Sequence, residues 1–313
     1  MGTPEIAAVS LKRLLTEKLN IVAVVTTPDK PAGRGLQIKE SPVKKIAIEN
    51  HITVFQPVNL GDAEFINTLK ELDPDIFIVV AFRKIPDELL NIPKTGAFNL
   101  HASLLPQYRG AAPINWAIIN GENETGLTTF FLTNKIDCGD IILQKKIEIS
   151  ERMIASELYD IMKVNGAELV MSTLKLIFDG SYTTVTQQKL NIGVNELKKA
   201  PKIYKENCRI NWSSSCKQIF NHIRGLAYLP GAYSELLSPE GKIFVFKIYH
   251  SEYTVCTHNF EVGHLETDNS QYIKVYAADG YIDIKELQLS GKKILCTDML
   301  LRGFKLNNSW KIR

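Results

Sequence analysis

Apolar positions along the chain follow two different rhythms, and the change between them comes near residue 180. In the first half, short β-branched runs alternate with stretches of helical period. Thr3 as a cap, Pro4 in the first turn and Glu5 against the helix dipole predict a helix over residues 4–18. Residues 21–26 then read as a strand covered on both faces, followed by a helix over 43–50, a short strand over 53–56, a helix over 62–72 and a strand over 75–81. This βα alternation predicts a doubly wound parallel sheet. Further strands are expected over 97–101, 127–132 and 141–149, and a long amphipathic helix over 154–178 that bends or breaks near Gly166. Past Gly180 a Lys-rich stretch reads as a connector. One helix over 215–226 follows, and then short strands over 243–249, 261–266, 272–277 and 281–289, separated by glycine and polar turns, predict a small β-barrel.

The length of 313 residues fits two domains at roughly 150 residues each. Apolar residues at 45% and charged residues at 23% exclude a disordered or fibrous chain. The most continuous apolar run, from Ile76 to Phe82, falls short of the roughly 18 residues a membrane-spanning helix needs. No basic-then-apolar leader opens the sequence, and Ile6 stands where a myristoylation signal has Ser or Thr, so a cytoplasmic protein without membrane association is expected. Five scattered cysteines without a CxxC pair fit reduced thiols and no metal site. The net charge of +3 is unevenly spread. Lys189, Lys198, Lys199, Lys202, Lys205, Arg209, Lys217 and Arg224 face only Glu196 and Glu206 within one stretch, and Lys30, Arg34, Lys39, Lys44 and Lys45 cluster in a Pro/Gly-broken loop. Such clusters are commonly solvated faces; two on one chain favour a polyanionic partner.

Asn99 and His101 lie two apart on an expected strand, so both side chains project from one face at its carboxyl end. In open α/β sheets ligands bind at that rim. A single His at a strand end is ordinarily structural, and Asp137 in Ile136-Asp137-Cys138-Gly139-Asp140 is by itself an ordinary hairpin-turn residue.

Taken together, these residues carry a resemblance. The run from Asn99 to Ile114, Asn-Leu-His-Ala-Ser-Leu-Leu-Pro-Gln-Tyr-Arg-Gly-Ala-Ala-Pro-Ile, with Asp137-x-Gly139-Asp140 beyond it, is similar to the signature of the folate-dependent formyltransferases. Within that superfamily, the loop Thr27-Pro28-Asp29-Lys30-Pro31-Ala32-Gly33-Arg34-Gly35 and the later Ser41-Pro42-Val43-Lys44 resemble the methionyl-tRNA formyltransferase family. The likeness extends to Ile210-Asn211-Trp212 and Pro230-Gly231-Ala232. It implies an α/β fold, with a Rossmann-like formyltransferase domain over 1–185, a basic linker over 186–206 and an OB-like barrel over 207–313 that contacts tRNA. It further implies Asn99, His101 and Asp137 as catalytic residues, with Asn99 and a protonated His101 donating to the oxyanion and Asp137 favouring the imidazolium and moving a proton through water. Ser103, Leu104, Leu105, Pro106, Asp140 and the segment Val80-Ala81-Phe82 are implied to hold 10-formyltetrahydrofolate. Arg34, Lys30, Lys39, Lys198, Lys199, Lys202 and Lys205 are implied to meet methionyl initiator tRNA, with the protein acting as a monomer and without a metal.

Two departures from the family pattern carry expectations of their own. Family members have an apolar strand ahead of Gly-Thr-Pro, whereas this chain reads Met1-Gly2-Thr3-Pro4, so a place in the sheet for a strand ahead of Met1 is expected. Ala81-Phe82-Arg83 stands where many members have a longer Ala-Tyr-Gly run, which alters the pterin slot. An amino-sugar-nucleotide formyltransferase is the competing reading; it generally lacks the Pro31-Ala32-Gly33-Arg34-Gly35 loop. A nicotinamide-binding oxidoreductase would need a G-x-G-x-x-G after a strand, and none is present. A non-catalytic RNA-binding module leaves Asn99, His101 and Asp137 unexplained.

Overall fold

A computed structural model of the chain describes every residue except 33–36, 191–196 and 308. It forms two compact units whose segments interleave along the chain: Met1–Gly110, Glu124–Glu148 and Tyr159–Ala200 in the first, and Ala111–Asn123, Ile149–Leu158 and Pro201–Arg313 in the second.

In the first unit, helix α1 (Glu5–Thr16) buries Ile6, Ala7, Leu11 and Leu14. Its cap position is Pro4 rather than Thr3, and the Thr3 hydroxyl instead meets those of Thr26 and Thr27 at 3.4 and 3.5 Å. Strand β1 (Val24–Val25) pairs in parallel with β2 (Val54–Phe55), and between them α2 (Pro42–Glu49) starts on a Ser41 cap that accepts from the Lys44 N–H at 3.1 Å. Helix α3 (Ala63–Glu71), capped by Asp62, packs Phe65 and Leu69 with Phe77 and Val79 of β3 (Phe77–Val80). Strand β4 (Ala97–His101) runs parallel to β3. The next two strands, β5 (Glu124–Phe131) and β6 (Ile141–Glu148), are antiparallel, so the sheet is mixed rather than wholly parallel. For β5 and β6 the reason is their connection: residues 132–140 form a turn, too short for a crossover to a parallel strand. Helix α4 (Ala155–Phe178) runs without a break. Gly166 serves close packing instead, because a Cβ there would stand 2.8 Å from Leu100 Cδ2.

The expected strand over 21–26 is cut to Val24–Val25 for a physical reason. Between β1 and β3 lie, among the described residues, Met1 and Gly2: the Gly2 N–H donates to Val25 O at 3.0 Å, Val80 N–H to Met1 O at 2.9 Å, and the Met1 ammonium to Ile78 O at 2.7 Å. Beyond that stub the ladder stops, and a cavity of about 530 Å³ lined by Ile21, Val22, Ala23, Ile76 and Ile78 takes its place.

In the second unit, helix α5 (Cys216–Leu226) begins in a reciprocal capping box of Ser215 and Gln218. A seven-stranded antiparallel sheet follows: β7 (Ala232–Leu237), β8 (Ile243–Val255), β9 (Leu265–Thr267), β10 (Ile273–Ala277), β11 (Gly280–Leu289) and β12 (Lys311–Ile312) are ordered β9-β10-β11-β8-β7-β12, and the short strand Leu295–Cys296 pairs with β11 off this path. The sheet curls until its two ends nearly meet, since a Cβ on Gly263, just before β9, would stand 3.0 Å from the carbonyl of Ile312 on β12. Ile248, Val275, Ile282 and Leu301 are fully buried inside this nearly closed barrel. Strand β8 outruns the expected 243–249 because a bulge around His250 shifts the register and carries the polar run past Ser251. Trp212 and the chain end are joined through one hydroxyl: Trp212 Nε1 donates to Ser234 Oγ at 2.9 Å, which donates to Arg313 O at 2.6 Å.

Candidate active site

Strand β4 carries the site. Leu100 packs toward Gly166 of α4, so Asn99 and His101 project from the opposite face of the sheet. His101 is buried, and its Nε2 lies 2.9 Å from the carbonyl oxygen of Tyr108. A carbonyl only accepts, so Nε2 carries the hydrogen and Nδ1 is the ring nitrogen left for another partner. Asp137 Oδ2 stands 4.0 Å from that Nδ1. The same oxygen accepts the Gly110 N–H at 3.0 Å. Asp137 has φ +51°, a left-handed conformation seldom taken by residues other than glycine, and the carboxylate is aimed from that turn. The Asn99 amide has no hydrogen-bond partner among the described residues and is only partly buried.

The loop after β4 is tied down from below. Thr128, fully buried on β5, accepts the Leu105 N–H at 3.1 Å and donates to Ser103 O at 2.6 Å. Gln144 on β6 donates to Leu105 O and to Thr128 Oγ1, both at 2.9 Å. The Ser103 hydroxyl donates to Gln107 O at 2.6 Å. Ser103, Leu105 and Pro106 are thus buried and Leu104 half-buried, which leaves this loop to meet a ligand chiefly through its backbone. At the end of β3, Val80 is buried, Ala81 is exposed with φ +48°, and Phe82 lies under the Arg83 guanidinium at 5.6 Å while Arg83 donates to Val58 O at 2.7 Å and to Pro57 O. Asp140 is half-buried, with its carbonyl accepting from Phe131 N–H at 3.0 Å.

The basic residues divide more finely than their formal charges. Arg34 lies outside the described residues. Lys30 and Lys39 sit opposite each other on a small antiparallel pair. Lys44 is occupied: Asp29 binds it and Glu40 lies at 3.1 Å, an arrangement that raises the lysine and lowers Asp29 below the usual carboxylate range through the shared hydrogen bond. Lys198 and Lys199 in the first unit, and Lys202 and Lys205 in the second, are exposed. Arg224, part of the basic stretch in the sequence, is buried and donates to Asn221 Oδ1 and Met153 O at 2.8 Å each, and Arg209 pairs with Glu235 at 3.0 Å. Neither is a free surface cation, because helical periodicity turns Arg224 inward, a fact that charge counting along the sequence ignores.

Four residues emerge only in three dimensions: Thr128, Gln144, Arg109 and Gln187. Buried threonines on a strand otherwise apolar on that side were a signal that Thr128 had a polar partner. Gln187, in a polar stretch, gave none.

No helix among the described residues is long and apolar enough to cross a membrane, and no group of three or more potential metal ligands occurs among them. Residues 1–174 match the formyl transferase domain and residues 202–305 the C-terminal domain of formyl transferases. The chain is 47% identical over 312 residues to a methionyl-tRNA formyltransferase of Bacteroides thetaiotaomicron, covering 100% of this chain and 97% of that protein. It is 43% identical over 312 residues to the methionyl-tRNA formyltransferase of Flavobacterium johnsoniae, with the same coverage. Among solved structures, an N-formyltransferase of Helicobacter canadensis in complex with folinic acid and dTDP-3-aminofucose superposes with a TM-score of 0.65 at 24% identity, over 90% of this chain and 96% of that one. WlaRD, a sugar 3N-formyl transferase, gives 0.64 at 23% identity over 93% and 97%. At that identity the likeness concerns the fold.

Proposed function

Because both domains of formyl transferases match it in order, the chain belongs to the formyl transferase family, and we propose from that premise how its residues divide the work. The enzyme transfers the formyl group of a folate donor, 10-formyltetrahydrofolate, to the α-amine of methionyl initiator tRNA, a step of translation initiation. The amine nitrogen attacks the formyl carbon, and a new C–N bond forms while the formyl oxygen becomes negative. Collapse breaks the bond to N10 of the folate, and the proton lost by the amine ends on that leaving nitrogen. Asn99 donates to the oxyanion from its side-chain amide. His101, with Nε2 already committed to Tyr108, serves through Nδ1–H. Each such donor is worth on the order of 10²–10³ in rate. Asp137, close to that nitrogen, stabilises positive charge on the ring and passes the amine proton onward through water. The observation that carries this reading is the approach of Asp137 Oδ2 to His101 Nδ1 at 4.0 Å, at the carboxyl end of β4 and on the face that also bears Asn99.

In this proposal Ser103, Leu104, Leu105, Pro106 and Asp140, with Val80-Ala81-Phe82, hold the folate. Lys30, Arg34, Lys39, Lys198, Lys199, Lys202 and Lys205 neutralise tRNA phosphates. Residues 1–185 supply the chemistry, 186–206 a basic connector and 207–313 a tRNA-contacting barrel, in a monomer working in the cytoplasm. The test is acceptor choice: the full chain with 10-formyltetrahydrofolate and, in separate reactions, charged methionyl-tRNA, free methionine or a UDP-amino sugar. Transfer to the charged tRNA alone is expected, because remote contacts must supply the energy that positions the amine. Formylation of the sugar nucleotide without the tRNA would overturn the assignment.

A further inference from the structure

We propose that Gln187 is a positioning residue for formyl transfer: its buried side-chain amide holds the turn that presents Asp137 and ties that turn to the loop that orients His101. The proposal rests on the catalytic reading of Asp137 given above.

Gln187 opens a short 3-10 turn (Gln187–Lys189) and is 3% exposed. Both amide hydrogens are spent on the Asp137 turn, one on Asp137 O at 3.0 Å and one on Gly139 O at 2.8 Å. Its oxygen accepts from Arg109 Nε at 3.1 Å and Nη2 at 2.5 Å. A neutral amide is the side chain that offers two donors and a two-fold acceptor at this length, and all are used. A carboxylate of the same shape would keep Arg109 and lose both carbonyls.

The turn needs such a hold. Asp137 sits in the left-handed region, Lys135 and Ile136 beside it are exposed, and a Cβ on Gly139 would stand 1.7 Å from Phe131 O, so the backbone has one narrow path here. The loop 108–110 meets the other side of the same group. Tyr108 O fixes His101 Nε2, Gly110 N–H fixes Asp137 Oδ2, and Arg109 between them is the residue that binds Gln187. That loop is itself anchored, with Tyr108 N–H on Lys198 O at 2.7 Å and Arg109–Gly110 paired in parallel with Lys199–Ala200. Gln187 therefore acts through the Asp137 carboxylate, holding its turn against a loop whose own anchors at residues 198–200 keep His101 in place.

The experiment compares full-length Gln187→Glu and Gln187→Ala, each alone and combined with Asp137→Asn, in steady-state assays with methionyl-tRNA and 10-formyltetrahydrofolate. Gln187→Glu retains the bond with Arg109 and should lower kcat by about 10- to 100-fold, the scale of a small misplacement of reacting groups, with KM for both substrates within about twofold. Gln187→Ala should lose at least as much; if it does not fold, Gln187→Glu carries the test. Over Asp137→Asn, either change should cost less than about threefold more, because the group it positions is already disabled. A kcat near that of the parent, a loss confined to KM, or the full loss repeated over Asp137→Asn would each overturn the proposal. Full activity of Asp137→Asn alone would remove the carboxylate from the mechanism and the proposal with it, and since Gln187 is intact in that variant the two failures are distinct.

Discussion

In the first unit, β1 and β3 are held together through Met1 and Gly2, with an apolar cavity of about 530 Å³ where the ladder stops; in the second, a seven-stranded sheet is joined edge to edge until its ends nearly meet at Gly263 and Ile312. The barrel gets its order from continuous backbone pairing around a largely hydrocarbon interior, in which the buried Ser234 is a polar tie. The sheet that carries the candidate site is interrupted, and the loops at its rim are fixed by side chains such as Thr128 and Gln144 that bond carbonyls and amides. Precision at a site can thus come from local polar ties while the surrounding sheet is incomplete.

The sharpest way to break that comparison is at the rim. Asn99→Ala, His101→Ala and Asp137→Ala should each lower formyl transfer by at least about a hundredfold with tRNA binding nearly intact, checked by single-turnover kinetics beside tRNA titration. Full activity in any one would remove that residue from the division of work.

Next in size is the stub between β1 and β3. Burial pushes the Met1 ammonium down from the ordinary 8.0 to about 5. Between those values the unfolded chain holds the proton and the folded one does not, so stability should rise from pH 5 to pH 8, by up to a few kcal/mol, in denaturant titrations. Fusing about six apolar residues ahead of Met1, roughly one strand's length, replaces the ammonium with an amide and fills the slot. It should stabilise the unit, flatten that pH dependence and protect the amides of residues 21–25 and 76–80 from exchange. Equal slopes and equal protection would show that the slot does not accept a strand.

In the barrel the effects should be smaller and indifferent to chemistry. Ser234→Ala leaves Trp212 Nε1 and Arg313 O without their shared hydroxyl and should cost about 1–3 kcal/mol, read by thermal unfolding, with kcat unchanged. An altered kcat would blur the division between the units. Smallest is the basic surface: neutralising Lys198, Lys199, Lys202 and Lys205 should flatten the salt dependence of tRNA binding by about 0.7 to 0.9 log units for each phosphate that is no longer neutralised. An unchanged slope would return those lysines to solvent.

Much of this was legible in the sequence where local rules suffice. Strand β4 falls at 97–101 as its apolar pattern predicts, α3 begins at its Asp62 cap and α5 at its Ser215 cap. The pattern failed where an element depends on what lies beside it: residues 21–23 have strand-like composition without a full set of neighbours, and β7 and β12 are strands because β8 pairs with one and that one with the other. At the site, the spacing of Asn99 and His101 disclosed a common face. It could not disclose which nitrogen of His101 is free, because that is set by a carbonyl seven residues on, nor the part of Gln187, fifty residues beyond Asp137.

The pairing of Arg109–Gly110 with Lys199–Ala200 bears on the order in which the molecule can be made. During synthesis the amino-terminal residues leave the ribosome first, and domains fold as units while the remainder is still being added. A nascent chain that has emerged as far as Phe178 already contains every strand of the sheet, including β4 with Asn99 and His101 in place. It still lacks Gln187 for the Asp137 turn and Lys198 to Ala200 for the loop that bonds both His101 and Asp137. On the proposed division of work, catalytic competence is therefore acquired late, with the last segment of the first unit rather than with its sheet.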